Sequence, residues 1–578
     1  MNRRVEPKLL VTFAAFCSVE GAWLTGKRLC QSCTRFTAES LHTGEQVHPI
    51  DLIVCLLIVL VVLVNVAHRF KVSHPIALVI GGLVLAMFPR LPEVRLEPDI
   101  VFLVFLPPLL YWDALNSSWR DFRDNWHPIS LLAIGLVFTT TMAVMVTAHV
   151  LLGFPWTVAF ILGAVLGPTD TVAAAAILER FNLPRDLMAV LRGESLLNDA
   201  LALVFYETAV RVAQIRTYVW GSVALKFCLA AAGGIAVGLA IGWLMVRVRR
   251  FASDPLVENT IALLTGFAAY LPADALHVSG VLAVVTAGLY VSWKDPRMIS
   301  AKTRLQSTAT WEVITFLLNG LLFILIGLQL RTILESFSGG SLRSMIRGCL
   351  LVSGTVILIR MLWVFASTYV PRVFSARLRA RDPHPPWQRP VLISWVGMRG
   401  GISLAAALSI PSFLADGSPF PGRNEILLLT FAVILVTLVV QGLSLPWLLR
   451  RLNFPEGDAE RAEERRARET LTDVALRYLA SVSKDDEIHQ RAVKQLQETF
   501  RNRAEGFEVA RKTCPDNPEA RYMSRLASLK RELVGMQRTT LIDLRDQGAI
   551  SDDVLRRFQV LLDLEESELQ EEERRWNV

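Results

Sequence analysis

Runs of apolar residues long enough to cross a lipid bilayer recur along most of this chain. Between Pro49 and Arg450 the sequence contains about thirteen of them, separated by short polar or proline-containing breaks. Because lipid offers no hydrogen bonds, a spanning segment must satisfy its own backbone, which favours helices. The predicted spans are residues 50–67, 75–88, 99–115, 129–151, 156–177, 188–211, 222–246, 258–271, 277–292, 310–331, 346–370, 391–412 and 425–449. The expected fold class is an all-α polytopic membrane protein.

The composition supports this class. Hydrophobic residues make up 52% of the 578 residues, only 20% are charged, and the mean hydropathy is +0.41. An ordinary soluble domain is much less apolar. The net charge of +7 would suit a nucleic-acid partner, but the basic residues lie mainly in short connections, which is the orientation signal of membrane proteins. We therefore expect a surrounding lipid bilayer and no nucleic-acid partner.

Connections rich in basic residues alternate with connections that have few. The poor set includes residues 154–156 and 272–276, which contain no Lys or Arg. The rich set contains Arg69, Lys71, Arg120, Arg123, Arg180, Arg185, Arg247, Arg249, Arg250, Lys294, Arg297, Lys302, Arg304, Arg372, Arg377, Arg379, Arg381 and Arg389. The positive-inside rule predicts that the rich set and the C-terminus are cytoplasmic.

The chain divides into three regions. Residues 1–48 have a basic start and a short apolar stretch, typical of a signal-like segment or of a start assigned too far upstream. Residues 49–450 form the transmembrane domain. Residues 451–578 predict a cytoplasmic helical tail, either a plain soluble extension or a regulatory or dimer-stabilising domain. Cys30 and Cys33 form a lone C-x-x-C, a weak zinc or redox signal, and we expect no cofactor.

Three carboxylates interrupt the apolar pattern within residues 167–200. They are Asp170, Glu194 and Asp199. A carboxylate at bilayer depth costs at least a few kcal/mol, so each one indicates a functional site. Three in one helical hairpin are hard to explain by packing.

The motif GESLLNDA places polar side chains on two adjacent stripes of one helix. Ser195 and Asp199 are four residues apart, as are Glu194 and Asn198. Carboxylate and hydroxyl oxygens are the ligands that a hard cation such as Na+ requires. Ser195 and Asn198 also suit a polar clamp between helices. Asp199 does not, because an unpaired buried carboxylate must be neutralised or bind a cation.

Two predicted spans contain helix breakers at membrane depth. Pro168 lacks a backbone donor and clashes with the preceding turn, so the helix should break there. Asp170 follows the break, where it either stabilises the half-helix or contacts an ion. The second span contains GMRGG, in which Arg399 is expected to neutralise a half-helix end. Two interrupted spans predict an inverted-repeat ion site, with repeats at residues 129–211 and 346–449.

Arg360 also lies at membrane depth, where a guanidinium needs a partner. Glu194 is the natural candidate. That pairing would leave Asp199 as the carboxylate that titrates.

Other polar residues lie near the ends of spans. Asp113 is either a further ligand or a solvated charge at a helix end. Three histidines on the cytoplasmic side are interfacial or sense pH, because histidine titrates near neutrality: His68, His74 and His127.

Four motifs together resemble a known family. They are FLPPLL at 105–110, PTDTVA at 168–173, GESLLNDA at 193–200 and GMRGGISLAAAL at 397–408. Over about residues 50–450, the chain resembles the monovalent cation:proton antiporters of the first cation/proton antiporter family. That family includes bacterial NhaP-type proteins and eukaryotic sodium/proton exchangers.

The resemblance implies a thirteen-helix fold with a dimerisation domain and a mobile six-helix core, in which two broken helices cross at the site. It implies that Asp199 binds the ion and the proton. The other implied roles are ion binding for Asn198, Ser195, Thr169 and Asp170, with Na+ or K+ at Asp199, Ser195 and Thr169, a Glu194–Arg360 salt bridge, and support of the break by Pro168 and Arg399.

Three positions bear on how far the resemblance extends. Family members that have Asn at the position of Asn198 look like electroneutral exchangers. The commoner TDP appears here as TDT, so the break depends on Pro168. Trp112 stands where the family often has a carboxylate, and Asp113 follows one position later.

The expected function is secondary active antiport of protons against monovalent cations by alternating access, and not enzymatic catalysis. Na+ is the first candidate, K+ the alternative and Li+ a further possibility, exchanged by a homodimer in the plasma (bacterial inner) membrane for pH and sodium homeostasis. Two other classes stay open. A cation channel would need a filter, and no filter-like repeat occurs in the sequence. A membrane sensor would signal through residues 451–578.

Overall fold

The computed structural model describes most of the chain after residue 48. The described residues are 49–454 except 71, 88–100, 171, 179–180, 182, 216–219, 253, 295–300, 336–341, 375–385 and 415–416, and then 470–471, 473–481, 493–498, 518–547, 558–559 and 561–568. The chain divides into two compact units between Glu456 and Gly457. The expectations for residues 1–48, including Cys30 and Cys33, lie outside the described residues.

The described part of the first unit is built from helices. They begin with α1 (Pro49–Phe70), α2 (His74–Ala86), α3 (Leu106–Leu115), α4 (Trp119–Asp124), α5 (Trp126–Ser130), α6 (Leu136–Leu152), α7 (Trp156–Val165), α8 (Val172–Leu178) and α9 (Arg185–Ile215). They continue with α10 (Trp220–Arg249), α11 (Pro255–Ala275), α12 (Gly280–Lys294), α13 (Ala301–Glu335), α14 (Leu342–Phe374), α15 (Gln388–Trp395), α16 (Gly401–Leu408), α17 (Arg423–Val436) and α18 (Gly442–Leu452). π-Helical turns precede α3 and α6 and join α17 to α18: Val101–Phe105, Leu131–Gly135 and Thr437–Gln441.

Several of these helices match the dimensions of a bilayer. Seven segments of the described chain are long and apolar enough to cross a membrane: Leu52–Phe70, Trp126–Leu152, Leu225–Arg249, Pro255–Ala275, Thr303–Gln329, Arg343–Phe374 and Arg423–Leu452. Four shorter apolar helices accompany them: His74–Ala86, Phe102–Leu115, Trp156–Val165 and Gly280–Lys294. Within the described ranges the β-structure is one isolated bridge, Phe413 to Pro419. The predicted all-α membrane class is therefore confirmed for these residues.

One predicted connection contains a helix that the hydropathy pattern did not predict, and the span after it begins earlier than predicted. α4 lies between the predicted spans 99–115 and 129–151, and α5 adds residues 126–128 before the second of them. The Ser118 side chain accepts a hydrogen bond from the Asp121 amide at 3.2 Å, which caps α4. Phe122 then packs between Trp119 and Trp126, with ring centroids 5.9 and 5.7 Å away. Capping and aromatic packing stabilise α4, which is too short to span, whereas α5 begins the membrane-spanning segment Trp126–Leu152.

Small residues allow neighbouring spans to approach closely. A Cβ atom on Gly82 of α2 would collide with the Ile324 carbonyl and touch Gly327, both on α13. Only glycine fits at that crossing. In lipid there is no hydrophobic effect to bring helices together, so they associate through van der Waals packing. Small residues favour this packing because they let the backbones approach closely.

Two apolar runs that were predicted as spans 156–177 and 391–412 are each divided. The first separates into α7 and α8, and the second into α15 and α16. The Asp170 amide in the first break donates to the Met398 carbonyl in the second, at 2.8 Å. The two breaks therefore contact each other inside the unit.

The described part of the second unit is helical. Its longest helix is α19 (Pro518–Asp546). Arg538 of α19 forms ion pairs with Asp563 at 2.5 Å and Glu566 at 2.8 Å. Val534 and Leu562 form a small apolar cluster beside these pairs.

Candidate functional site

The polar residues of α9 face the break between α7 and α8. The Ser195 hydroxyl donates to the Thr169 carbonyl at 3.1 Å, and the Asn198 side-chain amide donates to the Thr169 hydroxyl at 2.9 Å. Thr169 is available because Pro168 prevents the helix from continuing through this point. Asn198 and Thr169 are fully buried, and Asp199 is 6% exposed.

Two oxygens in this cluster lack a hydrogen-bond partner among the described residues. They are Oδ1 of Asp199 and Oδ1 of Asn198. Buried polar atoms are nearly always hydrogen-bonded, so two such atoms on consecutive residues need an explanation. The Ser195 hydroxyl uses its one proton in the hydrogen bond to the Thr169 carbonyl, so the lone pairs of its oxygen also remain available. The cluster presents oxygen acceptors and no donor that satisfies them.

Glu194, on the same helix, has a complete set of partners. Arg360 of α14 donates to both of its carboxylate oxygens, at 2.5 and 3.1 Å. Both side chains are 1% exposed. Arg360 also donates to the Ile393 carbonyl, from Nε at 3.2 Å and from Nη2 at 2.8 Å. A Cβ atom on Gly397 would collide with the Arg360 side chain, so this glycine leaves room for the guanidinium.

Arg399 joins the second break to the first. Its Nη1 donates to the carbonyls of Gly167 at 3.0 Å and Pro168 at 2.7 Å, just beyond the C-terminal end of α7. A positive charge there is favourable because the end of a helix carries partial negative charge. Nε and Nη2 of this fully buried guanidinium have no hydrogen-bond partner in the described chain. The charges of Arg399 and Asp199 attract each other.

Asp170 lies at the contact between the two breaks. Its carboxylate packs so closely on Gly400 that a Cβ atom there would overlap it. Since α16 begins at Gly401, the carboxylate lies beside the positive end of that half-helix. Asp170 is only partly buried, and its charge repels that of Asp199.

The remaining candidates lie on α1, α2, α3 and α5. Asp113 on α3 is exposed, and it interacts with Asp199 through charge. His68 and His74 lie against each other where α1 meets α2, with ring centroids 4.6 Å apart. His127 is exposed on α5.

The described residues contain no group of three or more His, Cys, Asp or Glu side chains arranged to hold a metal. One carboxylate with neutral oxygens beside it suits a monovalent ion that binds and leaves.

Comparison with known proteins identifies the family. The family model described as sodium/hydrogen exchanger, transmembrane, matches residues 55–451. The chain belongs to this family. An uncharacterized Na+/H+ exchanger of Mycobacterium tuberculosis is 38% identical over 526 residues, which cover 89% of this chain and 95% of the relative. The family resemblance of the four motifs is thus confirmed.

Two further comparisons concern ions and fold. An antiporter of Bacillus subtilis, named for sodium, potassium, lithium and rubidium against H+, is 35% identical over 69% of this chain and 61% of its own length. The solved structure of the sodium proton antiporter MjNhaP1 from Methanocaldococcus jannaschii aligns with a TM-score of 0.56 and 18% identity. It covers 70% of this chain and 99% of that one, and it shows that this exchanger shares the fold.

Sequence reasoning missed two groups in this exchanger's site. The Ile393 carbonyl accepts two hydrogen bonds from Arg360, and the Thr437 hydroxyl accepts one from the Arg399 amide at 3.1 Å. The first could have been anticipated, because a helix that ends at Trp395 leaves its last carbonyls without helical donors. For Thr437 the sequence contains no comparable signal, since a threonine in an apolar span usually bonds to its own helix.

Proposed function

We propose that this protein is a secondary active antiporter that exchanges protons for monovalent cations, with Na+ as the first cation. Membership of the sodium/hydrogen exchanger family supports cation/proton antiport as the class. The observation that carries the proposal is the buried pair of oxygens on Asp199 and Asn198 without hydrogen-bond partners among the described residues. A proton or a cation on Asp199 would relieve that deficit.

The proposed coupling follows from competition at Asp199. A bare carboxylate is costly in a site with little water, so Asp199 binds either a proton or a cation. Moving the empty, charged site across the bilayer is expensive. Only the occupied site therefore switches from facing one side of the membrane to facing the other. Alternating access with a proton in one direction and a cation in the other is the result.

The proposed stoichiometry depends on Glu194. Because Arg360 donates to both of its oxygens, Glu194 is proposed to act as half of a structural ion pair. Asp199 is then the carboxylate that titrates in turnover. One proton per monovalent cation makes the exchange electroneutral, in keeping with Asn198 at the position before Asp199. Such exchange would serve pH and sodium homeostasis.

The cation is proposed to bind to Asp199, Ser195 and Thr169. The Ser195 oxygen has free lone pairs, because its proton is used in the hydrogen bond to the Thr169 carbonyl. The Thr169 carbonyl oxygen has a second lone pair that a cation can bind. Asn198 adds a further oxygen, and Asp170 is the neighbouring carboxylate. Hard cations need several oxygens in place of their water. Pro168 and Arg399 maintain the break that presents these oxygens.

Potassium is the alternative cation. The Bacillus subtilis relative carries sodium, potassium, lithium and rubidium in its name, while the Mycobacterium tuberculosis relative is named for sodium. Ligand type alone does not distinguish these ions, since all of them bind oxygen. The width of the site decides the preference, and the experiment below therefore compares the cations.

The wider architecture is also proposed. Thirteen spans would contain inverted repeats at residues 129–211 and 346–449, with the two breaks crossing where Asp170 meets Met398. Two copies would form a homodimer in the plasma membrane, the inner one in bacteria. The basic connections support a cytoplasmic C-terminus, and residues 451–578 would form a helical tail there.

Transport by the purified protein in lipid vesicles tests the proposal. A pH-sensitive dye inside vesicles with an imposed pH gradient reports proton movement when Na+, K+ or Li+ is added outside. We expect Na+ to dissipate the pH gradient, and K+ to do so if the site is wide. Because the exchange is proposed to be electroneutral, clamping the membrane potential should leave the exchange rate unchanged. Cation flux without proton flux would indicate a channel. Loss of all transport on deletion of residues 457–578 would favour a sensor.

A further inference from the structure

A second polar cluster lies along α9 from the site. Tyr206 follows Asp199 by seven residues. That separation places both on one face of the helix, about 10 Å apart along its axis. Tyr206 is 6% exposed, and its hydroxyl lies 2.7 Å from Oγ of Ser409. Ser409 is the residue directly after the half-helix α16. A buried phenol on the carboxylate helix thus contacts the end of a half-helix.

The direction of this hydrogen bond follows from donor counting. Oγ of Ser409 donates to the Ala406 carbonyl at 2.9 Å. A serine hydroxyl has one proton to donate. Tyr206 must therefore donate to Ser409. The chain of donors runs from Tyr206 through Ser409 to a carbonyl in the last turn of α16.

Arg423 completes the attachment of this end of α16. From the first turn of α17, its Nε donates to the Ile410 carbonyl at 2.9 Å and its Nη2 to the Leu408 carbonyl at 3.3 Å. The last carbonyls of a helix lack helical donors, and leaving them unpaired at membrane depth is costly. Side chains of α9 and α17 thus hold the C-terminal end of the half-helix.

The N-terminal end of α16 is held at the ion site. Gly400, the residue before α16, packs on the Asp170 carboxylate. Thr169, next to Asp170, is hydrogen-bonded to two side chains of α9. The half-helix has eight residues, which span about 12 Å. That length is close to the distance from Asp199 to Tyr206 along α9. The C-terminal end of α16 is attached to α9 through Tyr206 and Ser409. The N-terminal end is attached indirectly, through the Gly400–Asp170 contact and the hydrogen bonds of Thr169.

We propose that Tyr206 and Ser409 are positioning residues of the exchange site. Their hydrogen bond fixes α16 along α9, and through Gly400 it keeps Thr169 and Asp170 in register with Asp199. Tyr206 does not touch the ion. Its effect passes through the half-helix, and the inference rests on the proposed exchange function.

The experiment compares Tyr206→Phe, Ser409→Ala and the double variant in the vesicle assay. Loss of one hydrogen bond is expected to raise the half-maximal cation concentration roughly two- to tenfold. The maximal rate and the melting temperature in detergent should stay close to wild type. The double variant should be no weaker than the weaker single variant, because each substitution already removes the Tyr206–Ser409 hydrogen bond. Ser409→Thr keeps the hydroxyl and should retain the wild-type value.

A matched control removes a hydroxyl from another contact between helices. Thr147 of α6 and Thr355 of α14 form a hydroxyl pair at 3.2 Å, and Thr147→Val should leave the half-maximal cation concentration unchanged. The inference is overturned if the effects of Tyr206→Phe and Ser409→Ala add, or if they lower the melting temperature without changing that concentration. Absence of exchange by the wild-type protein would instead contradict the proposed function.

Discussion

Helix α9 carries two buried carboxylates, one turn and a half apart, whose surroundings are opposite. Glu194 is fully buried and receives two hydrogen bonds from Arg360. Asp199 is 6% exposed, and its Oδ1 has no hydrogen-bond partner within the described chain. Burial is nearly the same at both positions. The difference lies in the partners.

The difference teaches what each carboxylate can do. The Glu194 carboxylate accepts two hydrogen bonds from Arg360, which is itself anchored at the Ile393 carbonyl. A carboxylate with an unsatisfied oxygen gains from each proton or cation that arrives. The comparison therefore separates a structural role for Glu194 from an exchange role for Asp199, and four substitutions test that separation.

Asp199→Asn should have the largest effect on transport. The substitution keeps the shape of the side chain and removes the charge for which proton and cation compete. We expect proton-coupled flux of Na+ and K+ to fall to the level of empty vesicles, while the protein still inserts and keeps its melting temperature in detergent. Retained proton-coupled flux would contradict the role of Asp199.

Arg360→Ala should have the largest effect on stability. It leaves Glu194 buried without its partner, which costs about 3–5 kcal/mol. The apparent melting temperature in detergent measures the loss. The double variant Glu194→Leu with Arg360→Met removes both charges and should recover most of it. If the losses of stability from Glu194→Leu alone and Arg360→Met alone are equal and add in the double variant, the pair is not coupled.

Gly400→Ala should act on the contact between the two breaks. The added Cβ atom would overlap the Asp170 carboxylate, and forced overpacking costs about 1–3 kcal/mol. We expect roughly a tenfold lower exchange rate in vesicles. Gly354→Ala is the matched control, because nothing lies within 4 Å of the new atom. An equal loss in both variants would exclude a specific effect at Asp170.

Ser195→Ala should have the smallest effect. It removes the hydrogen bond to the Thr169 carbonyl and one proposed cation ligand. A net loss of about 0.5–1.5 kcal/mol corresponds to a two- to tenfold higher half-maximal cation concentration. The measurement is the dependence of the initial exchange rate on Na+ concentration. An unchanged value would assign Ser195 to packing alone.

Local sequence patterns were sufficient for the class of fold and for the choice of candidate residues. Long apolar runs required helices, since lipid leaves backbone groups no other partner. Pro168 indicated the end of α7, because proline lacks the donor that a continuing helix needs. Hydropathy did not indicate α4, which depends on a cap and on aromatic packing.

The partners of the candidate residues were decided only by tertiary structure. Arg360 and Glu194 are 166 positions apart in sequence, and Asp170 contacts Met398 across a still longer separation. The sequence alone determined that buried charges exist and must be neutralised, because the cost of burying them is a property of each residue. Which charge is satisfied and which oxygen is left unsatisfied depends on how α9, α14 and the two breaks pack. The reason is that a hydrogen bond forms only between groups that packing brings within a few ångströms of each other.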